Sequence, residues 1–150
     1  AYTAMPKACG ANPTPIAFAE VYLALQNGTV DAQENPLPTI EAKKFYEVQK
    51  NIVLTGHIAD MLLTIASPSA LAKMSPADQK ILAEVTQEAG IRAGNEIRKR
   101  EGELLEEFKK KGINIIVVDR NDFQQRVLKA ISFESMNLDK KDWDRVVAIK

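Results

Sequence analysis

The side chains whose types could do chemistry gather before residue 58: Cys9, Phe18, Asp31, Glu34, Asn35 and His57. Asp31 and Glu34 share the segment Asp31-Ala32-Gln33-Glu34-Asn35-Pro36, where two carboxylates could act as an acid pair or hold a cation. Nearby carboxylates are more often solvated or capping groups. Little else of ligating type accompanies them, because Cys9 is the only cysteine and His57 the only histidine. An intrachain disulfide and a Cys/His zinc cluster are therefore excluded, and we expect no bound metal and no cofactor. Neither Cys9 nor any serine lies in a nucleophile motif such as GxSxG, and the seven glycines form no GxGxxG or Walker loop. An enzyme built on Asp31 and Glu34 is thus the last of the readings. His57 sits in an apolar run and reads first as a hydrogen-bonded core histidine. Phe18 and Tyr22 are ordinary core aromatics, although an aromatic just after a proline-rich turn can wall a pocket.

These residues need elements to position them. Pro13 and Pro15 impose extended backbone, and "FAEVYLALQ" follows with Val21, Ala24 and Leu25 on one helical face and Asn27-Gly28 as its stop. Thr29 to Glu34 alternates loosely and predicts a short strand. Pro36 and Pro38 then bar pairing until Thr39, the expected N-cap of a helix over "IEAKKFYEVQK". "NIVLTGHIADMLLTIAS" is apolar and β-branched without a helical stripe, so one or two buried strands broken near Gly56 are expected, with Pro68 ending the run. The strongest helix signal comes next. Ser75-Pro76-Ala77-Asp78 supplies a cap, a first-turn proline and an acid, and Lys109-Lys110-Lys111-Gly112 supplies cations for the helix dipole and a glycine stop. One helix over about 76–111 is predicted, on the order of 50 Å long at ~1.5 Å per residue. Its apolar positions are Ile81, Val85, Ala89, Ala93 and Ile97, then Leu104, Leu105 and Phe108. A helix of that length braces more than one lobe. "INIIVV" reads as a buried strand, Asp119 as an N-cap, and "FQQRVLKAI" and "DWDRVVAI" as two closing helices. The pattern is mixed α/β.

The 150 residues, 45% of them hydrophobic, suffice for one domain or one large lobe. Twenty basic residues balance twenty acidic ones, which leaves no surplus charge for a polyanion and makes nucleic acid an unexpected partner. The longest nearly apolar stretch, Met61 to Ala66, is far short of the ~20 residues that span a bilayer.

From Gly10 to His57 the chain reads "GANPTPIAFAEVYLALQNGTVDAQENPLPTIEAKKFYEVQKNIVLTGH". This segment resembles the DctP-like substrate-binding proteins of tripartite ATP-independent periplasmic (TRAP) transporters. The family's Gly-Ala-x-Pro turn, Phe-x-Glu-Val-Tyr, Gln-Glu-Asn-Pro, Lys-Phe-Tyr-Glu-Val-Gln and Thr-x-His all occur in order. Weaker likeness continues through "SPADQKILAEVTQEAG" and "KKGINIIVVDRNDF". The resemblance implies a periplasmic-binding-protein-like α/β lobe, type II-like, with a long bracing helix. It implies a non-enzymatic extracytoplasmic receptor that captures a small organic acid, such as sialic acid, another sugar acid or a C4-dicarboxylate, and delivers it to a membrane permease. By the same resemblance Asn35 donates to the substrate carboxylate from a strand end, and Phe18 lines the pocket. His57 lies near the cleft, Gln33 and Glu34 stand behind Asn35, and Tyr22, Phe45 and Tyr46 pack the lobe. Two departures stand out. The family's Asp-Gly is Asp31-Ala32 here, and its carboxylate-binding arginine lies upstream of the Gly10 motif, whereas this chain has no arginine before Arg92. The motif's closeness to residue 1 leads to the expectation that residues 1–150 form the C-terminal lobe of a larger receptor. Such a piece would pair with its N-terminal lobe or with itself. The competing expectation is a helical interaction module with no small-molecule ligand.

Overall fold

A computed structural model describes residues 3–58, 61–131, 134 and 139–149. The chain divides into two compact units. One comprises Ala1–Asp31, Val53–Ala59 and Ile116–Lys150, the other Ala32–Ile52 and Asp60–Ile115.

The second unit is organised by helix α5 (Pro76–Lys110, 35 residues), which starts and stops where the local chemistry dictates. The Ser75 hydroxyl accepts from the Asp78 amide at 3.2 Å and donates to the Asp78 carboxylate at 2.7 Å, so that one of the unpaired first-turn donors is satisfied. At the other end Gly112 takes φ +78°, a left-handed conformation open to glycine without a Cβ penalty. The Gly112 amide then donates to the Lys109 carbonyl and the Ile113 amide to the Phe108 carbonyl. This is a Schellman stop, and its usual apolar pair is present in the buried Ile113 and Phe108. The final turns of α5 carry the core: Leu104 and Phe108 are fully buried, with Phe45, Ile40 and Ile52 buried in the same unit. Tyr46 packs its ring 5.6 Å from that of Phe108, and the Lys111 ammonium lies 4.2 Å from the Tyr46 ring centre. Helix α3 (Leu37–Ala42) lies against α5 and gives way, through Lys44, to a 3-10 turn at Phe45–Glu47. Strand β1 (Asn51–Leu54) pairs with β2 (Asn114–Val117). The Asn114 amide donates to the Lys50 carbonyl, and the Asn114 side chain to that of Asn51. With their first residues adjacent, the two strands run parallel, joined by the long excursion that contains α5.

In the first unit, α1 (Ala4–Ala8) packs against α6 (Arg120–Ala130). A 3-10 turn at Phe18–Glu20 leads into α2 (Val21–Gln26), which buries Ala24 and Leu25. Asp119 and Asp139 accept from the amides of Asn121 and Lys141, both at 2.8 Å, and cap α6 and α7 (Lys140–Val147). The closing helices therefore begin earlier than their apolar residues alone suggested.

Several expectations are corrected. Thr29–Glu34 is not a strand. The Asn27 side chain accepts from both the amide and the hydroxyl of Thr29, at 3.0 and 2.6 Å, and this local turn replaces a ladder. Thr39 is not an N-cap either. Pro36 takes that position and Pro38 falls in the first turn, where a missing N–H costs nothing, so the prolines start α3 rather than delay it. The helix also stops at Ala42, well before Lys50. The apolar run after Asn51 forms a strand only as far as Leu54. Gly56, at φ +56°, turns the chain, and from Met61 the residues are exposed and non-helical until Pro68 opens the short α4 (Pro68–Leu71), with Leu62 93% exposed. Ala59 and Asp60 of that run lie outside the described residues. "INIIVV" does form β2, but not a buried strand: Ile113 is buried just before it, whereas Val117 is 80% exposed, because the only partner of β2 among the described residues is β1. On α5 the stripe is uneven, since Ile81, Val85 and Ile97 are exposed and burial is confined to the Leu104–Phe108 end.

Candidate functional site

The Gln-Glu-Asn-Pro segment occupies the approach to α3. A residue before proline is pushed to extended backbone, and side chains two apart in an extended stretch lie on the same side. Gln33 and Asn35 follow this rule: the Asn35 amide group donates to the Gln33 side-chain oxygen at 2.7 Å, half-buried. An asparagine carries two N–H donors and an acceptor oxygen, so this bond orients Asn35 and leaves its second N–H and its oxygen for another partner. Glu34, between them, is half-buried. Asn35 stands directly before the Pro36 cap of α3 and not, as the resemblance implied, at the end of a strand.

Helix α3 is in turn tied to α5 by Arg100. Its guanidinium donates through Nη2 and Nε to the two oxygens of Glu41 on α3, and through Nη1 and Nη2 to those of Glu107, at 2.6 and 3.0 Å. Glu103 adds a longer contact at 3.5 Å. The hydrogen bonds to Glu107 and then Glu41 hold the guanidinium proton more firmly than usual. Reciprocally, Arg100 holds the Glu107 carboxyl below the ordinary carboxylate range, as Lys109 does for Glu106. Arg100 is not among the residues to which the motifs point. The acids three and seven residues after it were a visible signal; Glu41, 59 positions away, was not.

Phe18 and His57 belong to the other unit. Phe18 opens the 3-10 turn ahead of α2 and is 48% exposed. His57 follows Gly56 beyond the end of β1, so it is not a strand residue, and its Nδ1 shares a 2.6 Å hydrogen bond with the Thr55 hydroxyl. A Cβ on Gly56 would meet only the tip of the Arg120 side chain, which can swing away, so the positive φ is what calls for glycine before His57. The structure thus brings Gln33 and Asn35 together. Phe18 and His57 belong to the other unit, and the boundary between the units falls between Asp31 and Ala32. Tyr22 and Tyr46 are half-buried and Phe45 is buried. Among the described residues no three His, Cys, Asp or Glu side chains converge as a metal site would need.

Residues 1–134 match the family model described as bacterial extracellular solute-binding protein, family 7. The chain belongs to this family. Its members are solute carriers, not enzymes. Over 119 residues the chain is 45% identical to the sialic acid-binding periplasmic protein SiaP of Vibrio cholerae, covering 79% of this chain and 37% of that protein. Over 118 residues it is 36% identical to the 2,3-diketo-L-gulonate-binding periplasmic protein YiaO of Escherichia coli, covering 78% and 36%. Among solved structures, a TRAP periplasmic solute-binding protein from Roseobacter denitrificans with bound 3-deoxy-D-manno-oct-2-ulosonic acid superposes with a TM-score of 0.84 at 34% identity, covering 97% of this chain and 48% of that one. One from Actinobacillus succinogenes with bound L-galactonate gives 0.84 at 31%, again covering 97% and 48%. The fold is therefore the type II-like α/β fold of these binding proteins, as the motifs implied. The chain spans little over a third of the length of the curated relatives and about half that of the solved ones.

Proposed function

We propose that this chain is part of a periplasmic receptor of a TRAP transporter, its C-terminal lobe, and that the receptor captures a small carboxylic acid for delivery to a membrane permease. The observation that carries this reading is the chemistry shared by four of the ligands named with its relatives. Sialic acid, 2,3-diketo-L-gulonate, 3-deoxy-D-manno-oct-2-ulosonic acid and L-galactonate are all polyhydroxylated acids. Sugar acids are thus favoured over C4-dicarboxylates, although one relative is a C4-dicarboxylate-binding protein, from Shewanella loihica. Asn35 is the proposed donor to the ligand carboxylate, with Gln33 fixing its orientation and Glu34 beside it. Phe18 and His57 are proposed as ligand-facing residues of their own unit. No helix of the described residues is long and apolar enough to cross a membrane. The exposed apolar residues of α5 support a tendency of the 150-residue chain to pair with the complementary half of the receptor or with itself; light scattering across concentration reads this, and a monomer throughout would refute it.

A thermal-shift series with sialic acid, 3-deoxy-D-manno-oct-2-ulosonic acid, L-galactonate, succinate and malate tests the function on the protein at its full native length. A native-state binder gains about 2.7 kcal/mol at a hundredfold excess over Kd. The expected result is a saturable shift with one sugar acid, and a flat response to every acid would overturn the proposal.

A further inference from the structure

We propose that Arg100 is a positioning residue of the ligand site, which fixes α3 against α5 and thereby fixes Asn35, the residue just ahead of the α3 cap. This rests on the reading that Asn35 contacts the ligand. Three features of the structure support it. First, α3 has only six residues, far below the length at which a helix holds its own shape in water; its place is set by what it touches. Its buried contact is Ile40, and its polar tie to α5 is Glu41. Second, the tie needs arginine. The guanidinium offers one edge, Nε and Nη2, to Glu41 and another, Nη1 and Nη2, to Glu107. A lysine ammonium is a point charge without that planar fork. Third, Glu107 lies on the same helix as Arg100 and fixes the guanidinium relative to α5 before it meets α3. The order of restraint therefore runs from the packed end of α5, through Glu107 and Arg100, to Glu41, and back along about one turn of α3 and through Pro36 to Asn35.

Stability alone accounts for this arrangement poorly. Arg100 and Glu41 are each about a third exposed, and ion pairs in that setting contribute little to folding. Position is another matter, because a recognition group must be held to within ~0.5 Å of its productive place.

The test uses the protein at its full native length with sialic acid as the probe, compared by calorimetric titration for wild type, Arg100→Gln, Arg100→Lys, Asn35→Ala and the double variant Arg100→Gln/Asn35→Ala. Amide hydrogen exchange across residues 33–42 is measured in parallel without ligand. Asn35→Ala removes a hydrogen bond to a carboxylate and is expected to weaken binding about 10- to 150-fold. Arg100→Gln should weaken it by a smaller factor, Arg100→Lys should restore only part, and Arg100→Gln should add nothing once Asn35 is alanine. Exchange should quicken over 33–42 in Arg100→Gln and stay unchanged over 104–113. If the exchange over 33–42 does not change, Arg100 does not hold α3, and the proposal fails whatever the titrations show. Equal losses from Arg100→Gln with and without Asn35 would mean a general structural effect and would also overturn it. An Asn35→Ala protein that binds as wild type does would remove the reading on which the proposal rests, while the exchange data would still report separately on the clamp.

Discussion

Replacing Phe108 by alanine and, in a separate variant, Val85 by alanine measures how unevenly α5 is anchored. Both residues belong to one apolar stripe in the sequence, yet Phe108 is fully buried and Val85 is 58% exposed. Phe108→Ala empties a packed ring site, a change that costs ~3–5 kcal/mol. Loss of the tilted contact with Tyr46 at 5.6 Å places the expectation in the upper half of that range. That is a large share of the ~5–15 kcal/mol available to a folded domain. Val85→Ala removes two methyl groups, worth ~0.8 kcal/mol each only when fully buried. More than half of the side chain is in water, and an extended-chain reference exaggerates the buried part, so the loss should stay below ~0.7 kcal/mol. Alanine's better helix propensity offsets some tenths of that. The assay is equilibrium urea unfolding of the 150-residue chain at high dilution, followed by circular dichroism, with slopes checked for constancy. A cost above ~1.5 kcal/mol for Val85→Ala would mean that the start of α5 is packed against apolar surface, and the reasoning would be refuted. A cost below ~2 kcal/mol for Phe108→Ala would refute it from the other side.

Ser75→Ala should cost ~1 kcal/mol by removing the cap of α5, and an unchanged urea midpoint would contradict the capping geometry. Lys44 sits at φ +57° between α3 and the following 3-10 turn, so Lys44→Gly should stabilise by up to ~1 kcal/mol, the net of relieved strain and extra unfolded-state entropy. Lys44→Val, β-branched in the same conformation, should destabilise; a ranking with valine above glycine would be incompatible with that backbone. Glu107 and Glu106 are held below the ordinary carboxylate range by Arg100 and Lys109, so their contribution is present above ~4.3, the unfolded glutamate value, and is lost as pH falls through the lower folded values. Arg100→Gln should flatten the Glu107 part of that acid limb, most visibly at low salt, and an acid limb identical to wild type would show that the pairing is not made in solution.

What the sequence disclosed about the fold depended on whether the deciding partner was close along the chain. Both ends of α5 were legible to within a residue, because Ser75 and Asp78 are three positions apart and the Gly112 stop answers to Lys109 and Phe108. Asp119 was legible as a cap for the same reason. The prolines at 36 and 38 misled because one residue type has two uses, breaking a ladder or opening a helix, and the choice rests on whether the next few residues find a surface to pack against. Strand burial was misjudged because a β-branched run reports a capacity to be buried. Whether it is buried depends on neighbours, and β1 and β2 have mainly each other.

The candidate site shows the same division one level up. Asn35, Gln33 and Phe18 were picked out by motif, and the motif also led to the family, since each of its residues lies within a few positions of the next. The Gln33–Asn35 bond extends that local logic, because extended backbone ahead of a proline places the two side chains together. Arg100 and Glu41 obey no such logic. Their meeting depends on the register of α3 along α5, which is set by where Ile40, Leu104 and Phe108 find room. A shift of one residue in that register would turn Glu41 about 100° away around its helix and leave Arg100 with only its own helix's acids. The clamp is therefore a product of core packing, and a repacked core should loosen it even with every charged residue retained. Phe108→Ala is expected to quicken amide exchange at Thr39 and Ile40, whose amides donate to the Pro36 carbonyl, along with exchange near the cavity itself. Protection at those two amides that survives Phe108→Ala would show that the ion cluster alone suffices to seat α3.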